Sequence, residues 1–213
     1  MAPILIFDLD GTLVDSQKDL SASVNHVRLS FGLPQLSEPA IAGYIGDGAQ
    51  MLIRRALGPE AAEADVQSGL QLFLSYYREH MLDQSALYPG VADVLGRLQD
   101  FQLAVLTNKP IRFSRIMLEG LGILRCFAAV YGGNSFERKK PDPVGIFQIL
   151  ADTSGHPGQA WMIGDSAVDV LTGRNAGVKT CGVSWGYAKE SFERTPPDVL
   201  IDRIEELEAL VRK

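Results

Sequence analysis

The sequence predicts a doubly wound parallel α/β sheet with an all-helical cap domain inserted after its first strand. Three observations carry this prediction. Six short apolar runs rich in Ile, Val and Leu recur along the chain, each suited to a strand buried on both faces. Segments with apolar residues at three-and-four spacing separate most of these runs. One long interval, from about Ser16 to about Leu87, holds such helical stripes and no strand run.

The first run, Ile4 to Phe7, leads into Asp8. The long interval then carries three stripes: Leu20, Val24, Val27 and Phe31; Leu52, Ile53, Ala56 and Leu57; and Val66, Leu70, Phe73, Leu74, Tyr77 and Met81. Tyr88-Pro89-Gly90 punctuates its end. The expected division is an α/β core of residues 1–15 and 88–213, and a helical cap of residues 16–87. Leu95 and Leu98 space a helix before the second run, Leu103 to Leu106. Ile116 and Leu118 precede the third, Ala128 to Tyr131, and Ile146, Ile149 and Leu150 the fourth, Trp161 to Ile163. Thr180 to Val183 and Val199 to Ile201 complete the set.

At 213 residues, 46% hydrophobic and 22% charged, the chain has the balance of a soluble globular protein. Its net charge of -6 argues against a nucleic-acid partner. An anionic substrate must then be drawn by a local positive site rather than by the whole-molecule field. Cys126 and Cys181 lie in apolar surroundings without metal-ligand spacing and are expected to be reduced core cysteines. His26, His80 and His156 show no mutual spacing of a metal site. The apolar run before Asp8 lacks the basic flank and length of a signal peptide, and no stretch reaches the ~18 apolar residues of a membrane span. A cytoplasmic location without a membrane partner is expected; monomer and homodimer both stay open.

Four clusters carry the candidate chemistry, each at a predicted strand end or in the loop beyond it, where doubly wound sheets bind ligands. DLDGTLVDS, residues 8–16, sets Asp8 and Asp10 two apart in an extended segment, so both point to one side. They also fit simple capping of the next segment. LTNKP, residues 106–110, offers the Thr107 hydroxyl and following backbone N–H groups to a phosphoryl oxygen, or merely a turn through Asn108 and Pro110. RKKPDP, residues 138–143, holds a lysine beside a stiff turn, or opens a helix at Pro143. MIGDSAVDV, residues 162–170, sets Asp165 and Asp169 on one helix face, an oxygen set that suits magnesium. Asp165 as helix N-cap and Asp169 favoured by the helix dipole is the competing account.

The ordered set DLDGTLVDS, LTN, KKPDP and GDSAVDV resembles the four motifs of the haloacid dehalogenase superfamily, in its phosphatase branch. The helical interval resembles that superfamily's cap. Three further stretches, GYIGDGAQMLIRRALG, LYPGVADVLGRL and WGYAKESFERTPPDVLIDRIEEL, resemble the phosphoglycolate phosphatase members, so the similarity spans essentially the whole chain. The resemblance implies magnesium-dependent hydrolysis of a small phosphorylated metabolite, with 2-phosphoglycolate the expected substrate, through an aspartyl-phosphate. It implies Asp8 as nucleophile and metal ligand, and Asp10 as general acid and base with a metal-binding backbone carbonyl. Thr107 and Asn108 would hold the phosphoryl group. Lys140, preferred over Lys139 because it directly precedes the proline, would bridge Asp8 and that group. Asp165 would bind magnesium, and Asp169 would support it through water.

Charge arithmetic points the same way. A phosphate monoester brings about two negative charges, and Asp8 and Asp165 one each. At ~4 Å and an effective dielectric near 20, each like-charge pair costs about 4 kcal/mol. A magnesium ion and Lys140 return about three positive charges. The same crowding is expected to keep Asp10 protonated. Alternatives are a phosphosugar mutase of the same superfamily, whose cap this one resembles less, and a phospho-acceptor signalling domain, whose aspartate a long helical insertion would screen from a donor protein. Substrate choice is expected in the loop Gly43 to Gly48, with Tyr44 and Gly46 against the substrate and Arg54 attracting a carboxylate.

Overall fold

The computed structural model describes residues 3–212. In chain order the elements are β1 (Ile4–Phe7), β2 (Val14–Asp15), α1 (Gln17–Ser30), α2 (Glu38–Ala42), α3 (Ala49–Leu57), α4 (Glu63–His80), β3 (Ala86–Leu87) and α5 (Val91–Arg97). There follow β4 (Gln102–Leu106), α6 (Ile111–Gly120), β5 (Ala129–Tyr131), α7 (Val144–Asp152), β6 (Ala160–Gly164), α8 (Ala167–Ala176), β7 (Lys179–Val183), β8 (Val199–Ile201) and α9 (Glu206–Val211).

Six strands form one sheet in the order β5-β4-β1-β6-β7-β8, every pairing parallel. Each expected apolar run is one of these strands. Period two sorts β1: Leu5 and Phe7 join Val105 and Ile163 on one face, where α5 and α6 cover them with Val94, Leu95, Phe113 and Met117. Ile4 and Ile6 join Ala104, Leu106 and Met162 on the other, under Ile146 and Ile149 of α7. From β1 the chain winds outward through β4 and β5, then returns to β6 on the opposite side of β1. The strand order thus reverses at β1, and the loops leaving β1, β4 and β6 diverge around one crevice.

Helices α1 to α4 occupy the interval between β2 and β3. Leu20, Val24, Val27, Ile53, Ala56, Val66, Phe73 and Tyr77 are buried, as the stripes require. Buried Arg28 ties this unit together: its Nε donates to the Pro34 carbonyl (2.6 Å) and its Nη1 to the Ala56 carbonyl. The stems into and out of the helices pair antiparallel, Val14 with Leu87 and Asp15 with Ala86. Buried Asp19 accepts from the Gln84 and Ser85 backbone N–H groups (3.0 and 2.8 Å) and the Ser85 hydroxyl (2.7 Å), fixing the return stem. Among the described residues no helix is long and apolar enough to cross a membrane. Cys126 and Cys181 are free thiols.

Candidate active site

The crevice at the carboxyl ends of β1, β4 and β6 gathers the residues of all four clusters. Asp8 follows β1 directly, Thr107 to Lys109 follow β4, and Asp165 follows β6. Lys140 comes from the loop before α7, and Asp169 from the first turn of α8. The turn after Asp10 needs a glycine twice over. Gly11 has φ of +79°, and a Cβ there would run into the Asp165 carboxylate.

Lys140 Nζ lies 3.0 Å from Asp8 Oδ1 and 2.6 Å from Asp169 Oδ1, and is buried with both. Lys139 instead reaches out to the Asp47 carbonyl. Asp8 Oδ1 also accepts the Leu9 backbone N–H at 2.7 Å. Asp169 Oδ2 accepts the Ser166 hydroxyl (2.7 Å) and backbone N–H (3.2 Å), so both of its oxygens are engaged. Ser166, not Asp165, is therefore the N-cap of α8. Asp165 Oδ2 accepts the Tyr187 backbone N–H at 2.7 Å.

Asp8, Asp165 and Asp169 each present an oxygen within 4.8 Å of the others, and all three are buried. One ammonium against three ionised carboxylates would leave an excess of about two negative charges in a buried pocket. Burial, followed by the Asp169 and Asp8 charges, pushes the Asp165 carboxyl well above the usual carboxylate range. Burial likewise raises Asp8 to about 6; Lys140 pulls it down, Asp169 pushes it up, and the Leu9 N–H and Thr107 hydroxyl lower it. Burial works against the Lys140 charge, but Asp169 and Asp8 outweigh it and raise its pKa. An all-oxygen set with this surplus of negative charge fits a hard divalent cation.

Asp10 stands apart from that triad. Its carboxylate takes Lys109 Nζ at 3.0 and 3.1 Å and the Ser16 hydroxyl at 2.6 Å. The sequence led to an Asp10 crowded by Asp8; the structure gives it a cation instead. Lys109 also donates to the Tyr77 hydroxyl at 2.6 Å, its Nζ 4.6 Å from that ring's centroid. Burial, then the negative charges of Asp10 and Asp19, hold the Tyr77 phenol protonated far into the alkaline range. The Tyr187 hydroxyl receives the Ser16 backbone N–H at 2.7 Å, closing this side. Lys109, Tyr77 and Tyr187 escaped the sequence reading. Tyr77 lies within an apolar stripe and reads as core. The lysine beside Thr107 and Asn108 was the available signal.

A cleft of about 670 Å³, open mouth included, lies over this floor. Its roof is Leu20, Ile45, Leu52, Phe73 and Leu74 from the helical insertion. The Asn108 amide donates to the Gly46 carbonyl (2.9 Å) and the Lys140 carbonyl (3.1 Å), fixing the 43–48 loop on the core. Gly46 and Gly48 line the cleft, and a Cβ on Gly48 would come within 3.1 Å of the Asn108 carbonyl. Two expectations are corrected here. Arg54 does not reach the cleft, because it pairs with Glu63 on the exposed face of α3. Tyr44 packs against the apolar core rather than lining the cleft.

The profile of the haloacid dehalogenase-like hydrolases matches residues 5–183. The chain is 38% identical to the phosphoglycolate phosphatase of Agrobacterium fabrum, over 95% of this chain and 89% of that protein. It is 38% identical to the phosphoglycolate phosphatase of Chromobacterium violaceum, over 97% and 95%. A crystal structure described as a predicted phosphoglycolate phosphatase from Haemophilus somnus superposes with a TM-score of 0.92 at 32% identity, covering 98% of this chain and 97% of that one. With its four clusters converging on one crevice of a parallel sheet, the chain belongs to the haloacid dehalogenase-like hydrolases.

Proposed function

We propose that this hydrolase cleaves small phosphate monoesters, 2-phosphoglycolate foremost, through an aspartyl-phosphate on Asp8 with magnesium as its metal. The observation that carries the reading is the buried Lys140 ammonium bridging Asp8 and Asp169, with Asp165 completing the carboxylate group. The choice of 2-phosphoglycolate is supported by the names of relatives 38% identical to this chain. Asp8 and Asp165 would hold the metal, with the Asp10 carbonyl, and Asp169 would act on it through water because Lys140 and Ser166 already occupy its oxygens. The ion, when bound, supplies positive charge to the phosphoryl oxygens and lets two anions approach.

An Asp8 oxygen bonds to phosphorus as the ester P–O bond breaks, and the leaving oxygen takes a proton from Asp10 acting as general acid. Asp10 then takes a proton from water, whose oxygen attacks the same phosphorus and releases inorganic phosphate and free Asp8. Thr107 and Asn108 hold the phosphoryl group, and Lys140 keeps Asp8 ionised and aimed. EDTA should abolish phosphate release, and magnesium should restore it fully. Calcium should restore little, since it accepts bidentate carboxylates and would tie up both Asp8 oxygens. Undiminished turnover in EDTA would sink the metal-dependent reading.

A further inference from the structure

The floor of the cleft accounts for the phosphoryl group and leaves the rest of the substrate unassigned. Among the residues lining the cleft, Lys109 is the one cation, and its side chain is only 4% exposed. An ammonium has three N–H donors. The two Asp10 oxygens, at 3.0 and 3.1 Å, lie too close together to take two tetrahedral N–H groups and share one; Tyr77 takes a second, and the third has no protein partner among the described residues. The Tyr77 hydroxyl accepts from Lys109 and donates to none of them. Two unspent donors therefore stand side by side on the cleft wall, 2.6 Å apart at the heavy atoms.

Their placement is fixed. Phe73 stacks on the Tyr77 ring at 5.3 Å, and Phe113 meets it edge-on at 5.7 Å. Lys109 follows a core strand, whereas Tyr77 is on α4 of the insertion. Resting on the phosphatase reading, Asp10 marks the leaving-group side of the phosphorus, and Lys109 touches Asp10. We infer that Lys109 and Tyr77 form the receptor for a carboxylate on the leaving group, and so select phosphate esters of short hydroxy acids. Adjacent donors suit the two oxygens of one carboxylate, and the apolar roof strengthens such a charge-assisted pair. This gives the role expected of Arg54 to a residue that faces the cleft.

Two esters of equal length separate this from a purely structural ion pair: 2-phosphoglycolate, and 2-hydroxyethyl phosphate, in which a neutral hydroxymethyl replaces the carboxylate. The measurement is the ratio of their kcat/KM values for the magnesium-loaded full chain. A site built around hydrogen bonds to a group discriminates strongly against the analogue lacking it. Lys109→Met should lower the ratio by at least about 30-fold, and Tyr77→Phe by about fivefold. Equal losses on both esters would overturn the inference and leave Lys109 serving only Asp10. If Lys109→Met fails to fold by circular dichroism, the Tyr77→Phe ratio decides alone, because that change removes one hydroxyl. A wild type that cleaves neither ester overturns the phosphatase reading and this inference with it. Unchanged ratios with intact turnover overturn the inference alone.

Discussion

On the floor of the cleft, Asp8, Lys140, Asp165 and Asp169 are buried ionisable groups, each tied to at least one fixed partner. Over them, Leu52, Phe73 and Leu74 offer surface and no polar group. The floor comes from loops between parallel strands, whose positions the sheet dictates. The roof comes from helices whose packing tolerates change more readily. Altering the floor should therefore change whether the reaction occurs. Altering the roof should change stability and fit.

The largest effect expected is that of Asp8→Asn, which removes the nucleophile from a nearly isosteric side chain. Turnover should fall at least ~10⁴-fold with the fold intact. Activity above a hundredth of wild type, measured on a preparation that melts cooperatively, would break the contrast at its strongest point. Leu52→Ala tests the roof. It should cost about 2 kcal/mol in urea denaturation while changing kcat on a small ester less than about tenfold. A loss comparable to that of Asp8→Asn would place catalytic function in the roof.

A smaller effect is confined to the metal-free floor. There burial raises the Asp8 carboxyl from its ordinary 3.8 to about 6. The folded state binds more protons across that interval, so stability is lost as pH rises from about 4 through about 6. Asp165 adds in the same direction. In EDTA at pH 7.5, Asp8→Asn should melt about 2–8 °C above wild type, and the gap should close toward pH 4. A wild type that gains on the variant as pH rises would reverse the sign. Smallest of all, Arg54→Ala should leave kcat/KM within about twofold on any substrate, since its partner is Glu63 in solvent.

The floor was legible in the sequence because strand ends are. A run such as Trp161 to Ile163 is apolar throughout, so the acid that stops it stands out, and the winding of the sheet sends all such ends to one crevice. Short elements were not legible: α2 is five residues with Pro39 in its first turn, and β2 and β3 are two residues each, too brief for any period. Nor was the Lys109–Tyr77 contact, which joins residues 32 apart across two structural units. A tyrosine in an apolar stripe and an arginine near a loop look alike from sequence in having one end free. Only packing shows that the Tyr77 hydroxyl turns inward and the Arg54 guanidinium outward.

The antiparallel pairing of Val14 with Leu87 has a consequence in polymer terms. Because the stems meet as strand neighbours, the helices between them form a closed loop whose ends are already joined. The closure cost of such a loop grows only with the logarithm of its length, about 0.6 kcal/mol per doubling. The sheet experiences the insert as a single fixed point rather than as a span to be bridged. Helices there can lengthen, shorten or be exchanged without shifting the register of the strands that hold the carboxylates. Selectivity can drift on one side of that knot while the chemistry on the other side stays still.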